Sequence, residues 1–267
     1  MRTPVPALLL LATALLPACF TVPFTGRSQF RPIPLEQELS LGAEAYGQEL
    51  SEAKLVTSGP DAAMVARIGQ RIAESARRMF PDPAEDFDWE IVLIDEPKSV
   101  NAWCLPGGKM AVYTGLLPVT QDEDTLAVVV GHEVAHAIAR HGSERMGQQL
   151  VFAGSLALAG ASLSRLEPGE RDLAMAALVG VGTYGAILPF SRLHESEADE
   201  IGLMLTADAG YDPRTAIPLW ERMGALGGAK PPELLSTHPS DKTRIARLQE
   251  LMPQALEYHR LAKLAGR

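Results

Sequence analysis

Two histidines four residues apart, with a glutamate directly after the first, lie inside a run that is otherwise apolar on every side: Asp124-Thr-Leu-Ala-Val-Val-Val-Gly-His132-Glu133-Val-Ala-His136. Residues i and i+4 share one face of an α-helix, so His132 and His136 can hold a single zinc ion while Glu133 points into the same site as a base. A helix apolar all round belongs at the centre of a domain. Burying two imidazoles and a carboxylate there is costly unless a metal or polar partners satisfy them. The pattern therefore demands a central helix built around a metal. Thr120 with Glu123 three residues on has the form of a capping box at its start, and Gly142 after Arg140 and His141 has the form of its stop.

A peptidase zinc needs a third protein ligand and an open fourth position for water. A histidine after a further x-x-Gly-x-x does not supply it here, because Ala139 stands where that glycine would be and Gly142 where the histidine would be. The candidate lies downstream, in Ser191-Arg-Leu-His-Glu195-Ser-Glu-Ala-Asp199-Glu-Ile-Gly202. Glu195 and Asp199 share a helical face, the first placed to bind the metal and the second to accept the free ring N–H of a liganding histidine. Glu197 and Glu200 read as a solvated face, and His194 sits off the Glu195/Asp199 face.

With these residues the chain resembles zinc metallopeptidase family 48, which includes the HtpX heat-shock protease, the CAAX prenyl proteases, the Oma-type proteases and periplasmic lipoprotein proteases. Further matches are Asn101-Ala-Trp-Cys-Leu-Pro-Gly-Gly108, Val112-Tyr-Thr-Gly-Leu-Leu117, and Ser236-Thr-His238-Pro-Ser240 with Arg244. Pro23-Phe-Thr-Gly-Arg27 is similar to the periplasmic lipoprotein branch. The resemblance covers roughly residues 36–250. It implies a metalloendopeptidase acting on misfolded or damaged cell-envelope proteins. It also implies that an edge strand before the metal helix pairs with extended substrate, a form of β-augmentation for which Lys109, Met110, Ala111, Val112 and Tyr113 are the candidates. His238, a histidine before proline in a loop, has two possible uses in a zinc protein beyond lying on the surface: plugging the water position, or donating to the oxyanion. Arg244, a turn further on, could hold that loop or bind the substrate carbonyl.

The N-terminus is the guide to compartment. Arg2, the apolar run Ala7 to Leu16 and the ending Leu16-Pro-Ala-Cys19 have the parts of a secretory signal, and a cysteine at the cleavage point suggests a lipoprotein. Phe20 after Cys19 is not an inner-membrane retention signal. These features predict a signal peptide over 1–18, a lipid on Cys19, a polar tether over 19–35, and attachment at the periplasmic face of a Gram-negative outer membrane. With Cys19 lipidated, Cys104 has no disulfide partner and stability rests on the core. A net charge of −9 leaves no basic footprint for nucleic acid.

Along the rest of the chain the periodicity predicts helices near 36–54 and 61–80, the second carrying a core stripe of Met64, Val65, Ile68, Ile72, Ala76 and Met79. Phe87 to Ile94, Val100 to Leu105 and Lys109 to Thr114 follow as short strands broken by Asp-Glu-Pro and Pro-Gly-Gly turns. Leu150 to Leu163 and Leu173 to Phe190 are apolar and rich in Ala and Gly. The first is short for a bilayer span and the second barely long enough, so both are expected to be soluble or to lie against a membrane. Asp212-Pro213 caps a helix near 213–226, and another follows Ser240.

The reading is an α+β fold, a mainly helical zincin-like (gluzincin) domain over 36–250 with a small three-stranded sheet and a C-terminal tail at 251–267. One Zn2+ per chain is held by His132, His136 and Glu195, with Glu133 as the proton carrier and unfolded or misfolded proteins as substrates. The competing readings are a zinc-stabilised chaperone or scaffold and an integral-membrane protease. Glu133, which a purely structural zinc site does not need, argues against the scaffold.

Overall fold

The computed structural model describes residues 19–182, 188–226, 234 and 242–267. The expected signal peptide and Thr237-His238-Pro239 lie outside the described residues. Contacts group the chain into two units, one joining the N-terminal segment up to Leu35 with Arg140–Leu193, the other joining Glu36–Ala139 with His194–Arg267.

In the first unit β1 (Cys19–Thr21) and β2 (Ser28–Phe30) form an antiparallel hairpin, Cys19 opposite Phe30. The segment expected as a polar tether, 19–35, thus contains a paired hairpin. A buried carboxylate far along the chain explains the order: Arg27 grips Glu144 with both guanidinium nitrogens at 2.7 Å, and Gln29 Nε2 donates to the same carboxylate at 2.9 Å. Leaving such a pair half-made would cost about 3–5 kcal/mol, enough to hold a short hairpin that polar composition alone would leave mobile.

In the second unit α1 (Leu35–Leu50) precedes α2 (Pro60–Met79), which opens on proline at its first turn as a helix tolerates best. Val65, Ile68, Ile72 and Ala76 are buried as the stripe requires, whereas Met64 and Met79 at its margins are half-buried. Three strands follow: β3 (Glu90–Ile94), β4 (Ala102–Leu105) and β5 (Lys109–Tyr113). Between the last two, Gly107 and Gly108 take φ of +87° and +80°, and a Cβ on Gly108 would meet the Trp89 ring at 2.7 Å, so the Pro-Gly-Gly turn needs glycine on both grounds.

The sheet order is β3-β5-β4, β5 running parallel to β3 and antiparallel to β4. Lys109–Tyr113 is thus the central strand, and the expectation that it presents a free edge to substrate is overturned. The chain passes β5 back between its two predecessors, so both of its ladders are occupied and Met110, Ala111 and Val112 are buried. The outer side of β3 is partly taken too, Val56 N donating to Leu93 O at 2.8 Å and Asp95 N to Lys54 O at 2.7 Å. The edge left open among the described residues is that of β4, apart from Ala102 N, which donates to Asn101 Oδ1 at 2.9 Å.

The central helix, α3, spans Glu123–Ile138, and Leu126 to Val130, Val134, Ala135 and Ile138 are all buried. Its cap is Asp122, which accepts from Thr125 N at 2.7 Å, and not a Thr120/Glu123 box. Thr120 instead ends a preceding helical turn and donates back to Leu117 O at 3.2 Å, while Glu123 faces Arg67 at 2.6 Å and Tyr211 at 3.0 Å. The stop likewise falls earlier than Gly142. Arg140 takes the left-handed conformation with φ 54°, and Gly142 belongs to the next helix, α4 (His141–Ser162).

Two further helices, α5 (Pro168–Gly182) and α6 (Leu188–Asp208), continue the chain. Asp212 caps the next turn by accepting from Arg214 N at 3.0 Å, and α7 (Ala216–Ala225) follows. The last helix, α8 (Lys242–Leu264), runs through the segment expected as a tail. Leu248, Leu251, Ala255 and Ala262 are buried along it, so 251–267 is part of the packed unit. No helix among the described residues is long and apolar enough to cross a membrane. The fold is mainly helical with a small three-stranded sheet, as the sequence led one to expect, and the N-terminal two-stranded sheet is an addition to it.

Candidate metal centre

Glycine brings the two motif helices together. A Cβ on Gly131 of α3 would lie 2.4 Å from Thr206 Oγ1 and 2.9 Å from Gly202 O; one on Gly202 of α6 would lie 2.8 Å from both Cα and N of His132. The backbones therefore cross in near contact at the residue before the first histidine. Thr206 Oγ1 lies at 3.3 Å from Ala127 O and donates to Gly202 O at 2.8 Å, closing the crossing with polar contacts. Seven residues before Gly202, two helical turns back, stands Glu195.

The consequence is a convergence of two histidines on one helix with a glutamate 59 residues beyond the second of them. His132 Nε2 and His136 Nε2 are 3.2 Å apart, and Glu195 places Oε2 3.3 Å from the first and Oε1 3.5 Å from the second. With bonds of about 2.0–2.1 Å, two ligands of a tetrahedral zinc-sized ion stand about 3.3–3.4 Å apart. The triangle matches that spacing on all three sides, and its atoms are the group among the described residues able to hold a metal. His132, Glu133 and Glu195 are buried and His136 nearly so. His194 is buried beside Glu195 but does not belong to the triangle.

Asp199 lies behind the triangle as its spacing requires. Its Oδ1 is 3.0 Å from His132 Nδ1, so it accepts the ring N–H there and leaves Nε2 turned to the other ligands. The same oxygen accepts from Arg244 Nη2 at 2.6 Å. Arg244 Nη1 stands 3.7 Å from Glu195 Oε2, and its guanidinium lies flat on Trp220, Cζ 3.4 Å from the ring centroid. Burial and the charge of Arg244 pull His132 down, yet its hydrogen bonds to Asp199 and Glu195 and the charge of Asp199 prevail and push it up to about 9.

One sequence expectation changes here. Glu197 is buried, not part of a solvated face; Glu200 does face outward, paired with Arg247 at 2.9 Å. Arg244 pairs with Asp199 and stacks on Trp220, contacts that the sequence did not assign to it. It occupies the first position of the buried stripe continued by Leu248, Leu251 and Ala255, so an arginine in phase with a core face was the signal that could have assigned it. Trp220 was missed altogether, because a tryptophan beside Leu219 and Met223 reads as ordinary core.

The open edge of β4 runs near Glu133. Asn101 O accepts from Tyr113 N at 3.1 Å, so alternate residues Trp103 and Leu105 turn their backbone groups to β5 while those of Ala102 and Cys104 turn outward. Burial and the charge of Glu133 hold the Cys104 thiol well above its usual range, which places the strand within electrostatic reach of that carboxylate.

Residues 61–252 match the sequence model of Peptidase family M48. The chain is 38% identical over 239 residues to the mitochondrial metalloendopeptidase OMA1 of Schizosaccharomyces pombe, covering 88% of this chain and 66% of that protein. It is 43% identical over 188 residues to the mitochondrial metalloendopeptidase OMA1 of Arabidopsis thaliana, covering 68% and 36%. With the beta-barrel assembly-enhancing protease of Escherichia coli it shares 26% over 250 residues, covering 89% and 49%. The chain thus spans less than two thirds of the length of each of these relatives. They also overturn the expected placement at a Gram-negative outer membrane, since the two of higher identity are named as mitochondrial proteins. A charged residue before a short apolar run marks a targeting segment in general, and it did not carry the compartment.

Proposed function

Because the chain belongs to peptidase family M48, we propose that it is a zinc-dependent endopeptidase that cuts polypeptides in extended, unfolded stretches. The observation that carries this reading is the ligand triangle of His132, His136 and Glu195 with a buried glutamate, Glu133, next to its first member. Two histidines and one glutamate are a catalytic zinc set, leaving one position open. A closed structural site would use four protein ligands and would have no need of Glu133.

Zinc in that triangle would supply Lewis acidity toward a water and the scissile carbonyl. Glu133 takes the proton of the attacking water and returns it to the departing amine, a role worth about 10²–10⁴ in rate. His132 and His136 offer Nε2, and Asp199 fixes the first ring by accepting its Nδ1–H. The substrate backbone adds to the outer edge of β4, where the C=O of Ala102 and the N–H and C=O of Cys104 point away from the sheet, the N–H of Ala102 being held by Asn101 Oδ1 at 2.9 Å. Pairing of this kind requires an extended segment, which a folded protein seldom exposes; this supports unfolded or damaged chains as the substrate class.

The test uses the full-length protein and reduced, unfolded casein. Fragments should appear, stop on addition of a chelator and resume when zinc is restored. Cleavage that persists after the metal has been stripped would overturn the proposal.

A further inference from the structure

Trp220 sits between α8 and the metal helix and touches both the arginine and the first ligand of the site. Its ring is fully buried, its centroid 3.4 Å from Arg244 Cζ and 5.7 Å from the His132 ring, the latter edge to face. The helix that carries it, α7, is tied to the turn preceding α3 by Arg222, whose Nε donates to Val119 O at 3.2 Å and Nη2 to Thr120 O at 3.4 Å. The platform is thereby fixed to the chain that leads into the metal helix.

A guanidinium is planar and donates only from its edges, so the surface on which its face rests decides where those edges point. With its face on Trp220, Arg244 directs Nη2 to Asp199 Oδ1 at 2.6 Å and brings Nη1 within 3.7 Å of Glu195. Asp199 Oδ1 in turn accepts from His132 Nδ1 at 3.0 Å. The order is indole, guanidinium, carboxylate, imidazole; Arg244 Nη2 also stands 3.1 Å from His132 Nδ1, so the guanidinium bears on the imidazole directly as well as through the carboxylate. Without the indole, Arg244 would keep its charge but lose the plane that aims its donors, and the carboxylate that orients His132 would lose its second anchor.

We propose that Trp220 is a positioning residue for the metal centre: it acts through Arg244 and Asp199 to hold His132 Nε2 toward the metal, and so sets metal affinity without touching metal or substrate. The inference rests on the metal site proposed above. Partners behind a metal ligand typically change affinity by about 10–100-fold when removed, which is the scale expected here.

The experiment is competition for zinc between the full-length protein and a chromogenic chelator, with thermal unfolding of the metal-free form recorded for each variant. Trp220→Leu should weaken zinc retention about 10-fold or more. Trp220→Phe, which keeps an aromatic face, should recover most of that affinity. Arg244→Lys keeps the charge but has no planar fork, and should lose about as much as Trp220→Leu. Because the two residues act in series, W220L/R244K should bind zinc no more weakly than Arg244→Lys alone. Equal and additive losses, or Trp220→Leu with wild-type affinity, would overturn the proposal. If Trp220→Leu does not fold, W220F and W220F/R244K carry the same comparison: any loss caused by Trp220→Phe must vanish in the Arg244→Lys background, and its persistence there counts against the proposal. A wild-type protein that holds no zinc ends both this inference and the peptidase reading, whereas a zinc-binding wild type with indifferent variants ends this one alone.

Discussion

α3 and α4 are consecutive helices joined through one left-handed residue, and both carry long apolar stretches, yet they meet opposite fates. In α3, Leu126 to Val130 are buried on every side. In α4, the stretch Leu150 to Leu163 has no charged residue, but Leu150 is 62% and Leu158 72% exposed. Hydropathy does not separate them; the glycines do. Gly131 and its counterpart Gly202 lie where two backbones cross, with no room for a methyl group, while Gly154 and Gly160 meet nothing within 4 Å. Apolar character shows that a helix could be buried, and a glycine pressed against a neighbouring backbone shows that it is.

The contrast can be broken most severely at the ligand triangle. Glu195→Ala should abolish metal retention, measured as zinc per chain after gel filtration, whereas Glu200→Ala one turn away on the outer face should retain it. Equal retention by both would show that the third ligand is misassigned. A subtler blow is Gly202→Ala. The new Cβ would meet main-chain atoms of His132 at 2.8 Å, which cannot give way as a side-chain tip could, so about 1–3 kcal/mol of stability and a measurable part of the zinc affinity should be lost together. A stable variant with normal zinc binding would mean the crossing is looser than described.

Smaller still is a dependence on pH in the metal-free protein. His132 is raised from 6.5 to about 9, so its folded form binds a proton more tightly than the unfolded chain. The stabilisation is fully present below about pH 6.5 and is lost as pH rises through about 9. Melting temperature of the stripped protein should fall across that window, and a rise there would contradict the assignment of the Asp199 and Glu195 contacts. The smallest effect belongs to the exposed helix. Gly154→Ala meets open space in α4, so helix propensity alone acts and should add about 0.5–1 kcal/mol. Loss of stability would place a neighbour against α4 where none is described.

What the sequence disclosed and what it hid divide on the range of the interaction. His132, Glu133 and His136 were legible because one helical turn sets their spacing, and Glu195 with Asp199 for the same reason. The stripe of α2 and the three strands were legible from period alone. Sheet order was not, because β5 inserts between strands that precede it, and nothing local in Lys109–Tyr113 records that both of its sides will be paired. The N-terminal hairpin depends on Glu144, 117 residues from Arg27, and a polar, proline-bearing segment gives no hint of such a partner. Trp220 and Arg244 acquire their meaning from each other across two helices. The compartment was misread because a short apolar leader says only that a chain is addressed.

The central claim is that Glu133 moves the proton in a site whose metal is held by other residues. Its most direct test is the Glu133→Gln variant, assayed for bound zinc and for casein cleavage in the same preparation. The account predicts one zinc per chain, as in the wild type, with turnover lower by at least about 10². Near-normal turnover with zinc in place would contradict it.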